Sequence, residues 1–527
     1  MSIVVVGSGI NGLVAAAELA RAGRTVTLLE RAPRLGGFIA SQERTLPGFV
    51  HDVYSSWHPL FVSGGAYALL GADLEARGAR YRNTDGALTA STADVGGERR
   101  TVVGYRDPGR TAAGFSRARD RETYLAMLDA FGARAGTVFG ALGGELGSGR
   151  TLGALGWRAL RALGRRGVAS LARDAMSSGR AFLRREFDGW EADALWAPWL
   201  LHAGLGPQHA TGGVMVPVFA ATLHQFGLPV VDGGAGRFVA AFESLLRDAG
   251  VDIRTGVEAE GIELRHGRAC AVRTSAGVVD AGTVIASVSP QALYGTLLAE
   301  SGAVARQRAD AARHRPGRGA AQIHLALDRP VPWEDPALRE VPLIHLSDGS
   351  GSTGVAVAQA DAGLLPQVPT IVVGQQTLLD PQRAPEGKAT LWLQLQEVPF
   401  APVGDAAGLI DTRGGWAEAT LRDRFLDRVL DRLEAFAPGV RATVLAADLI
   451  TPADLHAANP NAVGGDPYGG DAELDQNLLW RPFPGAARHR TVVPGVWHIG
   501  AATHPGAGLA GGSGHLVAQQ LLGRRSR

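Results

Sequence analysis

Ile3–Val6 is a run of four apolar residues that leads straight into a glycine-rich turn. A short continuous apolar run bounded by a turn signal reads as a strand buried on both faces. Asn11–Ala22, dense in alanine and leucine, predicts a helix, and Thr25–Leu29 predicts a second strand ending on Glu30. Together they make a βαβ unit of the roughly 30 residues such a unit needs. From about residue 60 to 225 the pattern reads as mostly helical and irregular. After residue 228 it changes: Phe238–Ala249 predicts a helix and Val251–Arg254 a strand. Alternating stretches follow at Gly261–Leu264, Cys270–Thr274 and Gly277–Asp280, then an apolar strand at Thr283–Ala286. Gln322–Leu327, Thr370–Gln375 and Thr390–Leu395 predict more strands. Leu421, Phe425, Val429, Leu433 and Phe436 recur at helical spacing across Trp416–Phe436, which Pro438-Gly439 ends. Val496–Ile499 and Ser513–Leu522 predict a last strand and helix. The expected fold is α/β: a discontinuous Rossmann-type domain from residues 1–80, 226–300 and 480–527, and an interleaved α+β domain from 81–225 and 301–479.

Composition narrows the function. The chain has 527 residues, 46% hydrophobic and 20% charged, which is enough apolar surface to fold in full. Lys+Arg is 52 against Asp+Glu 51, so no global charge favours nucleic acid. The one cysteine, Cys270, excludes an intrachain disulfide and a thiolate metal cage. There is no charged leader, and the longest smooth apolar stretch, Val214–Leu223, is shorter than the ~18–20 residues of a membrane span. The expectation is a cytoplasmic protein, with peripheral membrane contact left open. No metal-spaced His/Asp/Glu set, G-x-S-x-G or P-loop lysine occurs, so no metal site is expected.

The chemistry begins at Gly7-Ser8-Gly9-Ile10-Asn11-Gly12, a G-x-G-x-x-G that follows a strand and opens a helix. Gly7 makes the tight turn, Gly9 lets backbone approach a pyrophosphate, and Gly12 lets helix and strand pack closely. The helix N-terminus offers free N–H groups to the phosphates, and Glu30 can accept from ribose hydroxyls. Arg31 and then Gly36-Gly37 follow closely, a glycine pair suited to the longer path of a flavin dinucleotide. Gly233-Gly234-Ala235-Gly236 lacks the spacing of a second such site, so FAD is expected and a separate NAD(P)H domain is not. A second strand–glycine loop–helix runs from Val496 to Gly514.

These stretches resemble the phytoene desaturase-like branch of the FAD-dependent amine oxidase superfamily, which includes carotenoid desaturases, carotenoid isomerases and retinol saturase. The resemblance runs over nearly the whole chain. It rests on Val4–Gly12 with Glu30 and Gly36-Gly37, Pro47–Asp52, Leu379-Asp380-Pro381 with Ala384–Lys388, Gly495–Gly514, and Arg481-Pro482. It implies that backbone of Ser8, Ile10 and Asn11 meets the pyrophosphate and that Glu30 meets the ribose. Gly37 and Phe38 then lie along the ribitol, and Ala259 meets adenine through its main chain. Gly500 and Ala501 fall at pyrophosphate and ribitol, and Leu509, Ala510 and Gly511 beneath the flavin.

Of the histidines in segments expected near the cleft (His51, His58, His202, His224 and His504), His58 and His504 are the candidate catalytic residues because they adjoin loops expected at the flavin. The expected substrate site is an apolar cleft lined partly by residues 190–226, with Trp57, Trp199, Met215 and Phe219 as substrate contacts. Residues 157–185 carry eight arginines against Asp174 alone, and read as a solvated face, a rest on anionic lipid, or a dock for an acidic carrier protein. The implied activity is hydride transfer to FAD from a carbon–carbon bond of a lipophilic, polyene or isoprenoid-like substrate. A polyene reductase, saturase or isomerase, an amine oxidase, and a non-catalytic flavoprotein stay open as alternatives.

Overall fold

A computed structural model describes residues 2–95, 97–508 and 510–523. One sheet has five parallel strands in the order Val496–Ile499, Thr283–Ser287, Ile3–Val6, Val26–Glu30, Asp252–Thr255. Ile3–Val6 is central, and its residues go to two cores. Val5 packs with Leu13, Val14 and Ala17 of the helix Ile10–Arg21, and Val4 with Val272 and Val284 on the other face. That two-sided burial is why every position in the strand is apolar. The strand Val496–Ile499 lies two places from Ile3–Val6, so the glycine loops near the two ends of the chain meet at the same carboxyl edge, where parallel sheets bind ligands. The alternating stretches form a three-stranded antiparallel sheet, Ala259–Arg265, Arg268–Thr274 and Gly277–Asp280.

The second sheet has seven strands: Val444–Ile450, Gly319–Leu327, Ala389–Val398, Ile371–Gly374, Leu343–Leu346, Ala87–Val95 and Glu98–Tyr105. All neighbours are antiparallel except Leu343–Leu346 with Ala87–Val95. Along the wholly buried strand Ala389–Val398, the leucines and the polar residues alternate. Leu391, Leu393 and Leu395 join the core that includes Phe425, Val429 and Leu433 of the helix Ala419–Phe436. Trp392, Gln394 and Gln396 take the opposite face. That helix starts inside the range predicted from Trp416, because Trp416 sits in a preceding 3-10 turn and donates its indole N–H to the Pro399 carbonyl.

The hairpin Ala87–Val95 and Glu98–Tyr105 corrects the helical reading of residues 60–225. Thr89, Ser91 and Thr92 are small and polar, and they are buried because neighbouring elements cover them.

A buried charge cluster joins segments that lie far apart along the chain. Arg383 donates from Nη1 to Asp52 (2.5 Å), from Nε to Asp380 (3.1 Å) and from Nη2 to the Val231 carbonyl (2.8 Å). Asp52 also accepts from the Ala235 N–H and from the hydroxyls of Ser41 and Ser56, and Asp380 accepts from the Gly233 N–H. Two of the stretches that carry the family resemblance therefore meet in one network. The glycine loop 233–236 is held by protein carboxylates here.

Candidate cofactor and substrate site

One cavity of about 590 Å³ runs from the Gly7–Gly12 turn to the polar face of the seven-stranded sheet. Its first end is built for a dinucleotide. Gly7 has φ +91°, and a Cβ there would lie 2.7 Å from the Ser287 carbonyl. A Cβ on Gly12 would lie 2.0 Å from the Gly7 carbonyl, so only glycine lets the helix start this close to the strand. The helix Ile10–Arg21 has no side-chain cap, and Gly9, Ile10 and Asn11 line the cavity. Its first N–H groups are left for an anion. The Asn11 side chain is committed elsewhere: its Oδ1 accepts from Ser513 Oγ (2.8 Å), which itself accepts from the Gly500 N–H (3.0 Å). This relay ties both glycine loops together behind the cradle.

Glu30 is buried and lines the cavity. One carboxylate oxygen accepts from the Ser8 N–H (2.9 Å) and hydroxyl (2.6 Å), and the other from the Ala32 N–H (2.8 Å). These donors fix its orientation and leave lone pairs for ribose hydroxyls. Replacing Glu30 by Gln should turn an amide N–H₂ against one of these donors and remove a charge-assisted bond to the ribose. FAD affinity should fall by about 1.5–3 kcal/mol, on the order of 10- to 150-fold, as read by titration of the apoprotein with FAD.

Ser8, Gly36, Gly37, Phe38, Gly500 and Ala501 also line the cavity, as do Arg31 and Ala259, where the resemblance puts adenine. Gly12 does not line it and acts through packing. Gly511 packs a would-be Cβ 2.6 Å from Val14 and caps the helix Gly512–Leu521, so it too serves the helix contact; neither it nor Ala510 lines the cavity. Leu509 lies outside the described residues. Arg481 is buried behind the cavity wall and donates to the carbonyls of Tyr468 (2.6 Å) and Ala501 (2.8 Å), which fixes two lining segments to each other. Burial pushes its guanidinium down to about 10.

The second end of the cavity holds Trp57, Trp199 and Phe219, with Leu223, Leu228 and Leu343. Met215 does not line it; it packs among the helices behind Phe219. His58 and His504 do not line it either. His58 is fully buried against Phe238 and Tyr81, its Nδ1 is paired with the Tyr81 hydroxyl at 3.0 Å, and burial pushes it down to about 4. His504 pairs its Nε2 with the Ala141 carbonyl at 2.9 Å, and burial pushes it to about 4 as well. The geometry makes both packing residues: neighbours such as Trp57, Pro59 and Ala502 line the cavity, while these two rings are buried away from it.

His202 is the histidine that faces the cavity. It stacks on Trp199 (4.6 Å between centroids), and its Nε2 lies 3.2 Å from Nε2 of His345. Burial pushes His202 down to about 3 and His345 well below its ordinary value, so the pair is neutral near pH 7. The sheet contributes Gln322, Trp392, Gln394 and Gln396, none of which was singled out from the sequence. The signal was the L-W-L-Q-L-Q alternation in Leu391–Gln396, which reads as a strand with one polar face.

The chain is similar to known proteins. The chain is 28% identical over 306 residues to mouse (Mus musculus) pyridine nucleotide-disulfide oxidoreductase domain-containing protein 2; the match takes in 55% of the chain and spans about half the length of that relative, 50%. It is 26% identical to phytoene dehydrogenase of Streptomyces griseus, over 99% of the chain and 95% of that protein. Among solved structures, an oxidoreductase from Methanosarcina mazei is similar with a TM-score of 0.65 at 17% identity, covering 99% of this chain and 100% of that one. Putrescine oxidase bound to putrescine is similar with a TM-score of 0.57 at 16% identity, covering 99% and 100%. These two likenesses concern the fold. The profile of the flavin containing amine oxidoreductases matches residues 10–522, and with the cradle described above it establishes that the chain belongs to that family, with FAD as its cofactor.

Proposed function

We propose that the protein is an FAD-dependent dehydrogenase acting on carbon–carbon bonds of a lipophilic, isoprenoid-like substrate. The observation that carries this reading is the aromatic and aliphatic chamber that continues from the FAD cradle, walled by Trp57, Trp199, Phe219, Leu223 and Leu343. Bound FAD supplies the hydride acceptor. The chain's own residues bury the substrate's apolar surface, worth ~25 cal/mol per Å², and keep water from the reacting carbons. The full-length relative named for phytoene agrees with an isoprenoid substrate.

An amine substrate fits less well. Aromatic rings do gather at the chamber, but the carboxylate there, Asp466, already accepts from the N–H groups of Gly317, Tyr468 and Gly470. Burial raises its pKa against those donors and the nearby Arg481 charge; its oxygens are taken up by the three N–H groups, which leaves less of it to an ammonium. Anaerobic mixing of the FAD-loaded protein with phytoene tests the assignment. The expected result is bleaching of the flavin together with a longer polyene chromophore. Bleaching by an aliphatic amine alone would overturn it, and polyene isomerisation or saturation with reduced flavin would reverse the direction.

A different region bears on the route of delivery. The helix Ala118–Leu142 is long and apolar enough to cross a membrane, a longer apolar element than the stretch Val214–Leu223, yet only 11% of its apolar window is buried. Beside it runs the helix Gly149–Met176, which exposes Trp157 and Leu160 next to Arg158, Arg161, Arg165 and Arg166. Those four arginines make no ion pair with a described residue, whereas Arg173 and Arg185 are held by Asp174. Both helices pack on Gly212–Phe226, whose Phe219 and Leu223 line the chamber. This arrangement supports the reading that the pair rests on an anionic lipid surface from which substrate enters. At ~1 kcal/mol per basic residue near such a surface, reversing Arg161, Arg165 and Arg166 to Glu should weaken binding to phosphatidylglycerol vesicles by on the order of a hundredfold. Turnover of vesicle-borne substrate should fall and that of a short soluble analogue should not. Sedimentation that is equal for both proteins would return these helices to solvated surface.

A further inference from the structure

We infer that the substrate carries an oxygen function, a hydroxyl or carbonyl, that is read by Gln394 and His202 on the sheet side of the chamber. This inference rests on the lipophilic-substrate reading above and narrows it.

The polar groups of the chamber divide into two sets. Gln322 is committed: its Nε2 donates to the Tyr54 carbonyl (2.8 Å) and its Oε1 accepts from the Trp392 indole (2.7 Å). Gln396 is partly committed, because its amide donates to the Tyr468 hydroxyl. Gln394 lies between them, directly opposite Gln322 in the strand register, and lines the cavity. It is buried, and no described residue pairs with its amide. His202, half-buried, is presented beside it by the turn Pro198–Ala203, which packs on the same sheet through His345. Its Nε2 is held by His345, and its Nδ1 has no partner among the described residues. Behind it, His345 Nδ1 is enclosed and unpaired, so the imidazole pair has no second exit for its hydrogen bonding except toward the cavity.

Buried amides and imidazoles are kept in native proteins when something satisfies them. A hydrocarbon filling the chamber would strip water from Gln394 and His202 and offer nothing in exchange. A substrate oxygen can accept from the Gln394 amide, and a hydroxyl can also donate to or accept from His202 Nδ1, whichever tautomer the pair adopts. Sites built to bond a substrate hydroxyl discriminate strongly against the analogue that lacks it, because their own polar groups are then stranded. The neutrality of both histidines near pH 7 suits an uncharged oxygen better than a carboxylate.

The test compares matched C20 isoprenoids, geranylgeraniol, its aldehyde, and the hydrocarbon with methyl in place of the oxygen function. Each is titrated into the FAD-loaded protein and followed by quenching of tryptophan fluorescence, which needs no turnover. The oxygenated ligands should bind at least tenfold more tightly than the hydrocarbon. Gln394→Leu should reduce that ratio to threefold or less while hydrocarbon affinity holds or improves. This variant breaks no hydrogen bond of a described side chain, so it should fold. His202→Phe is the second variant and should act in the same direction. A ratio below threefold in the native protein, or a ratio unchanged in both variants, overturns the inference and leaves the lipophilic reading intact. Failure of all three ligands to bind the native protein overturns that reading and this inference with it.

Discussion

Replacing Arg383 by Ala should destabilise the protein by about 3–5 kcal/mol, the usual penalty for removing one partner from a buried ion cluster. Arg383, Asp52 and Asp380 are all within a few per cent of complete burial. Without the guanidinium, two carboxylates are left beside each other in the interior, and the Val231 carbonyl keeps only the Gly234 N–H of these two donors. Burial alone would push the Asp52 carboxyl up; the Arg383 charge, with donation from Ser56 and Ala235, outweighs it and holds the group below its ordinary value. A carboxyl depressed in this way contributes stability that is present above the unfolded value of ~3.9 and is lost as pH falls through the folded value. In the variant burial dominates, so acid unfolding should begin at higher pH. Urea unfolding at neutral pH and a pH titration of the unfolding midpoint measure the two effects. A loss below 1 kcal/mol, with no change in acid sensitivity, would show that the cluster does not hold these segments together.

Replacing Gly514 by Ala should remove FAD from the protein and destabilise it by at least ~1–3 kcal/mol. A Cβ at this position would lie 2.0 Å from the Asn11 carbonyl oxygen and 2.8 Å from its carbon. Both are main-chain atoms in the helix that forms the pyrophosphate cradle, so neither can yield without moving the cradle. The helix Gly512–Leu521 is also fixed to its partner by Glu18, which accepts from His515 (2.7 Å) and Gln519 (2.6 Å), and these bonds resist a compensating slide. Gly132→Ala is the control. Gly132 lies within the helix Ala118–Leu142, where a Cβ meets nothing within 4 Å, and alanine there should stabilise by ~0.5–1 kcal/mol. Flavin content after gel filtration and the thermal midpoint separate the two outcomes. Full FAD occupancy in Gly514→Ala would show that the helices need not touch.

The cofactor end was legible in the sequence because backbone geometry restricts it to glycine. Gly7 and Gly12 have no substitute at their φ angle or distance, and Glu30 follows at the end of the next strand. The substrate end was legible only where hydrophobicity is local, as at Trp199 and Phe219. Gln322 and Gln394 belong to different strands, and nothing in either stretch shows that their shared face covers a cavity instead of meeting water. The histidines were misplaced for a related reason. His58 and His504 adjoin the correct loops, but adjacency along the chain does not determine which way a ring turns. The hairpin Ala87–Tyr105 was missed because Thr89, Ser91 and Thr92 are buried by their neighbours, which no local pattern records.

The pairing of the helices Ile10–Arg21 and Gly512–Leu521 also governs when the cofactor can be captured during synthesis. At roughly 5–20 residues per second, a ribosome needs about 25–100 s to travel from one helix to the other. Until then Val14 and Leu13 lack the cover of Val517 and Ala518, and the Asn11–Ser513–Gly500 relay does not exist. The complete cradle for FAD therefore exists only once the helix Gly512–Leu521 has been made, and until then the face of the helix Ile10–Arg21 that it covers stays open.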